Sequence, residues 1–168
     1  MKTNQLIGCA IKALGFLFVF LIQACKANDI QVTICEPDYQ SISYCNKEFF
    51  KKLQNKKKEK PDFDLNKYLI ISKIPLNNRK DKIFSHYFAV FDPKNNVLFP
   101  LTLVVTNFSN QDGYMINNPP TIRYWKDNDL ICVSGNIISY RNSYENVENY
   151  CYRFQEDIKD AILINNNI

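Results

Sequence analysis

Lys82-Ile83-Phe84-Ser85-His86-Tyr87-Phe88-Ala89-Val90-Phe91, then Asp92-Pro93-Lys94-Asn95-Asn96, then Val97-Leu98-Phe99-Pro100-Leu101-Thr102-Leu103-Val104-Val105-Thr106, is the stretch that decides the fold. A ten-residue stretch rich in aromatic residues, a turn cluster, and a second ten-residue stretch in which Val97, Thr102, Val104, Val105 and Thr106 are β-branched describe two strands with a break between them. Pro100 cannot donate to a ladder, so it marks an edge strand or a bulge. Strand signals continue on either side. Lys67 to Ile74 (KYLIISKI) is bounded by Pro75-Leu76-Asn77-Asn78. Asp29 to Cys35 alternates, with Ile30, Val32 and Ile34 on one face. Asn107 to Pro119 is a long polar loop. The residues predict that Thr121 to Trp125 pairs with Leu130 to Tyr140 across the four-residue hairpin loop Lys126-Asp127-Asn128-Asp129. Arg141 to Glu148 reads as a loop and Asn149 to Phe154 as the last strand.

Two segments read as helical. In Cys45 to Lys60, Phe49, Phe50 and Leu53 sit at helical spacing among lysines, and Pro61 ends the segment. Gln155 to Ile164 places Ile158, Ala161 and Ile162 on one face, which fits a terminal helix. The expected fold is therefore mainly β: an antiparallel β-sandwich or partly closed barrel with one or two short helices. A small α+β arrangement is the alternative.

The chain opens differently. No acidic residue precedes Asp29, Lys2 and Lys12 are basic, and Ala13 to Ile22 is unbroken apolar sequence. As a helix those ten residues reach only about 15 Å, half of a bilayer core. That is the proportion of a secretory signal followed by the small residues Ala24, Cys25 and Ala27. A retained anchor would have to place Lys12 near the bilayer centre, at a cost of about 3 kcal/mol. Leu21-Ile22-Gln23-Ala24-Cys25 resembles a bacterial lipobox, which implies cleavage after Ala24 and acylation of Cys25. A cut after Ala27 is the rival. The resulting organisation is a signal over 1–24, a linker over 25–29, a single β-rich domain over 30–164, and a frayed end over 165–168.

Composition narrows the chemistry. The net charge of +4 includes Lys2 and Lys12; without them 19 basic residues face 17 acidic ones, a net charge of +2. Global charge thus implies no nucleic-acid partner. Once Gly8 and Gly15 leave with the signal, Gly113 and Gly135 remain, too few for a glycine-rich phosphate cradle. His86 is the one histidine. No short-spaced Cys or His set suits zinc, and Asp127, Asp129, Glu145 and Glu148 lie in stretches where carboxylates are ordinary. The reading is of no enzyme, no cofactor, no catalytic residue and no metal ligand.

Cys35, Cys45, Cys132 and Cys151 remain after Cys9 is removed and Cys25 lipidated, an even number that suits two disulfides in an oxidising compartment. Local pairing, Cys35 with Cys45 and Cys132 with Cys151, is the expected one of three connectivities. Lys47 to Lys60 holds seven lysines and two glutamates, a local charge of +5. Lys47, Lys51, Lys52, Lys56, Lys57 and Lys58 are the candidate patch for an acidic protein partner or lipid headgroups; a solvated helix face is the plainer reading. Asn107-Phe108-Ser109 is a glycosylation sequon in a eukaryotic host.

The layout of lipobox, short linker, compact β domain and a cysteine within Lys126-Asp127-Asn128-Asp129-Leu130-Ile131-Cys132-Val133 is similar to that of type VI secretion immunity lipoproteins of bacterial periplasms. The resemblance implies a protein that binds and blocks a toxic effector delivered into the periplasm, while Lys26 after the acylated cysteine, where an aspartate would retain a lipoprotein at the inner membrane, points to a periplasm-facing outer-membrane anchor. It carries no site residues across, and the lysine-rich segment departs from it. A structural envelope lipoprotein and a plain secreted protein cut after Ala27 are the alternatives.

Overall fold

A computed structural model describes residues 30–37, 40, 42–76, 83–139 and 143–164. The expected signal over 1–24, the expected linker over 25–29 with Cys25, and the end at 165–168 lie outside the described residues. The elements are β1 (Gln31–Val32), α1 (Lys47–Lys56), β2 (Tyr68–Pro75), β3 (Phe84–Asp92), β4 (Val97–Thr106), β5 (Thr121–Tyr124), β6 (Leu130–Ser139), β7 (Ser143–Gln155) and β8 (Asp160–Ile164). The expected β-rich class is found, with one helix among the described residues. The strands form one sheet in the order β2-β3-β4-β6-β7-β8, with β5 antiparallel to β6 and β1 parallel to β4. The sheet does not close into a barrel.

The sheet bends where β4 meets β6, because those strands share only the pairs Val105↔Ile137 and Thr106↔Asn136. The two halves then face each other. Leu69, Phe88, Val90, Phe99, Leu101, Leu103 and Val105 from the first half pack against Ile131, Val133, Ile137, Val147 and Phe154 from the second. This is the sandwich core. A second core lies on the opposite face of β2, β3 and β4, where Tyr68, Ile70, Tyr87, Ala89, Phe91, Leu98 and Val104 meet Phe49 and Leu53 of α1 together with Ile42 and Tyr44. Burial on both faces explains why Tyr87 to Phe91 of β3 is a continuous apolar run instead of alternating. Among the described residues, no second core covers the outer face of β5 to β8.

Local chemistry sets the boundaries. Asn46 caps α1, its Oδ1 accepting from Phe49 N at 2.7 Å. Phe49 and Leu53, four apart, are the helix's buried residues. Pro100 falls beside the irregularity between β3 and β4, where the register jumps between Tyr87↔Val104 and Ala89↔Pro100. The other edge of β4 carries no ladder there; instead the Asp160 carboxylate accepts from Thr102 N (2.9 Å) and Thr102 Oγ1 (2.6 Å).

Three expectations are corrected. Gln155 to Ile164 is a turn and a strand, not a helix: Lys159 adopts φ 61° and β8 pairs with β7 from Gln155 back to Cys151. A ten-residue helix is marginal without a buried face, and Ile158 and Ile162 are both exposed, whereas β7 offered an open edge. Of the expected strand Asp29 to Cys35, the described residues pair at Gln31 and Val32 alone; the chain then turns away towards the Cys35–Cys45 bridge. The Arg141 to Glu148 stretch is strand from Ser143 onward, because β7 follows β6 through a hairpin register ending at Ser139↔Ser143.

Candidate functional site

The lysine segment is less free than its charge suggests. Lys56 Nζ lies 2.6 Å from Asp62 and 3.2 Å from Glu59. Burial works against its charged form, but the two carboxylates outweigh this and hold the amine above the usual lysine range. Lys57 Nζ sits 4.9 Å above the Phe91 ring, Lys52 is 3.9 Å from Glu48, and Lys58 donates to Asn55 Oδ1 at 3.3 Å. Lys47, Lys51, Lys58 and Lys60 are exposed. Half of the patch is therefore tied into the α1 packing, and the surface charge comes from the other half.

Cys35 is bonded to Cys45 and Cys132 to Cys151, the local connectivity. The second bond joins direct register partners on β6 and β7. It lies in a row that crosses the outer face: Arg123 on β5, Cys132, Cys151, and Ile164 on β8. With Trp125, Leu130, Glu148 and Asn149 these residues line a cleft of about 530 Å³. Its rim is made by a bulge. Between Val133↔Tyr150 and Gly135↔Val147, β7 carries an extra residue, and Asn149 takes a left-handed φ of 54°. An asparagine tolerates that conformation better than most residues. Asn149 N donates to Ser134 Oγ at 2.9 Å, and the Arg123 guanidinium donates to Asn149 Oδ1. A bulge of this sort re-aims side chains at the edge of a site. Trp125, the chain's one tryptophan, is 42% exposed beside this cleft. Leu65, also exposed, is held near it by the bond from its N–H to the Lys126 carbonyl.

The other candidates fall apart in space. His86 is half-buried in β3 with Nδ1 3.3 Å from the Val105 carbonyl; burial lowers its pKa, that hydrogen bond partly offsets the fall, and Lys73 adds to it. Asp129 pairs with Arg153 at 3.4 Å. Asp127 and Glu145 are exposed on separate elements, and Glu148 belongs to the bulge. Among the described residues no three His, Cys, Asp or Glu side chains come together around a metal-sized space. Asn107 is 1% exposed; its Nδ2 donates to the Ile116 carbonyl and its Oδ1 accepts from Phe84 N. A glycan on that nitrogen is incompatible with this packing, so the sequon is not a usable site in the folded domain.

Arg123, Trp125, Asn149 and Ile164 were not singled out in the sequence. Alternation over Thr121 to Trp125 does put Arg123 and Trp125 on one face, but only the register shows that this face is the cysteines' own. No protein-family model, no curated protein and no solved structure matches the chain.

Proposed function

We propose that the protein is an exported binding module, anchored through lipid on Cys25 to the outer membrane and facing the periplasm, whose partner is a toxic effector protein. The observation that favours binding over a purely structural envelope role is the cleft on the outer face of β5 to β8. It is apolar at its floor, carries a half-exposed tryptophan and an arginine at its rim, and is braced by a disulfide. Tryptophan and arginine in such settings dominate protein–protein affinity, and a cross-linked sheet presents them with little ordering cost. The exposed lysines of α1 and its following turn supply positive charge that speeds encounter with an acidic partner.

The layout resemblance to immunity lipoproteins supplies the class of partner. Two disulfides suit an oxidising compartment. The secreted alternative, cut after Ala27, keeps the same domain and loses only the anchor.

The test is protection of cells against a toxin encoded beside the gene, with purified proteins compared by binding kinetics. Trp125→Ala and Arg123→Ala should each slow growth rescue and raise the dissociation rate at least tenfold. Unchanged rescue and unchanged dissociation in both variants would reject this face as the partner surface.

A further inference from the structure

A second cleft, of about 280 Å³, lies between the first turn of α1 and β2, lined by Ile42, Asn46, Glu48, Phe49, Lys52, Ser72, Lys73, Ile74 and Pro75. Ser72 shares a face of β2 with Tyr68 and Ile70, the face packed against Phe49 and Leu53. It is fully buried, and its Oγ has no hydrogen-bond partner among the described residues. A buried hydroxyl without a partner is unfavourable, and native structures rarely keep one without a reason.

The surroundings favour negative charge. α1 is ten residues long, and only Phe49 N, bonded to Asn46 Oδ1, is satisfied by the cap side chain. The N–H groups of Lys47 and Glu48 belong to the first turn, which has no intrahelical acceptors, at the positive end of the helix dipole. Lys52 brings a partly exposed ammonium to the same mouth. Lys73 brings none, since its Nζ sits 4.0 Å over the Phe84 ring. Glu48 is the opposing charge, 3.9 Å from Lys52 and largely exposed, so it swings out at little cost. Ile42, Phe49 and Ile74 give the remainder of the wall an apolar character.

We propose that this cleft binds a small oxyanion, a carboxylate or phosphate on a short apolar stem. The Ser72 hydroxyl and the α1 N-terminus donate to its oxygens, and Lys52 pairs with its charge. At about 30 Å³ per water molecule, the cleft of about 280 Å³ has room for such a group with a few carbons. The site stands apart from the cleft on β5 to β8 and does not depend on the effector reading.

The experiment is an amide chemical-shift titration of the purified disulfide-intact protein with sodium butyrate and, separately, with inorganic phosphate, using chloride to match ionic strength. Saturable shifts at Lys47, Glu48 and Ser72 are expected with at least one probe. Saturation by butyrate identifies a carboxylate ligand, and saturation by phosphate a phosphate ligand. Ser72→Ala and Lys52→Gln should each weaken binding at least fivefold, and Glu48→Gln should tighten it at least threefold. Lys94→Gln, on an exposed turn elsewhere, should leave it unchanged. Ser72→Ala removes an unpaired hydroxyl, so its melting temperature should not fall, which separates lost binding from lost fold. Linear shifts with both probes, or wild-type affinity in Ser72→Ala and Lys52→Gln, would overturn the proposal.

Discussion

Replacing Gly135 by alanine tests the bend between the two halves of the sheet. Gly135 lies at φ +152°, and a Cβ there would stand 2.7 Å from the Thr106 carbonyl oxygen, 2.8 Å from Pro120 Cβ and 3.0 Å from Val105 Cγ1. A side chain at that φ costs about 1–3 kcal/mol. Forcing a methyl against backbone in a packed interior costs about 1–3 kcal/mol more. The sum, about 4 kcal/mol, is a large share of the roughly 7–20 kcal/mol expected of a domain this size. At about 3–5 °C per kcal/mol the melting temperature should fall by about 12–20 °C. Gly113 is the control: its φ is +82°, but nothing lies within 4 Å of its Cβ position. Gly113→Ala should cost only the backbone part, about 1 kcal/mol. Denaturant midpoints and thermal melts of both variants, followed by far-UV circular dichroism, give the comparison. Equal losses in the two would show that β4 and β6 do not approach as described.

Replacing Cys132 and Cys151 together by serine opens a bond spanning 19 residues, for which loop entropy gives about 3 kcal/mol; the Cys35/Cys45 pair, spanning 10, should cost slightly less by denaturant titration. His86 should give the fold a pH dependence. Burial holds its folded pKa below the ordinary histidine value of about 6.5, so its contribution is whole above that pH and is lost as pH falls through the folded value. The acid-side slope of stability should flatten in His86→Gln, and an identical slope would reject that assignment. Glutamine at Lys47, Lys51, Lys58 and Lys60 should leave stability within about 0.5 kcal/mol, while slowing partner association and flattening its salt dependence. Lys56→Gln should instead cost about 1 kcal/mol, because it breaks the partly buried pair with Asp62.

The strands that could be read from sequence were those whose residues carry their own signal. Val97 to Thr106 emerges with the same bounds in the structure, and the β5–β6 hairpin joins the segments expected to pair. The local cysteine pairing, one of three connectivities, rested on the strand-like flanks of Cys132 and Cys151 and on the ten-residue turn between Cys35 and Cys45. β8 was not legible, because Ile158, Ala161 and Ile162 suit a helical period and the deciding partner, β7, is a tertiary fact. The cleft was hidden for a related reason. Arg123, Cys132, Cys151 and Ile164 come from four strands, and only the register, with the bulge at Glu148 and Asn149, brings them into one row. The lysine segment shows the reverse: its charge was plain, but the contacts of Lys56 with Asp62 and Lys57 with Phe91 depend on packing that no local pattern announces.

Intact mass and peptide mapping of the mature protein, taken from the membrane fraction without reduction, test the lipid-anchored reading most directly. Expected are an N-terminal Cys25 carrying acyl chains, bridges Cys35–Cys45 and Cys132–Cys151, no free thiol, and release into the soluble fraction in Cys25→Ser. An unmodified soluble protein beginning at Asn28 would contradict it.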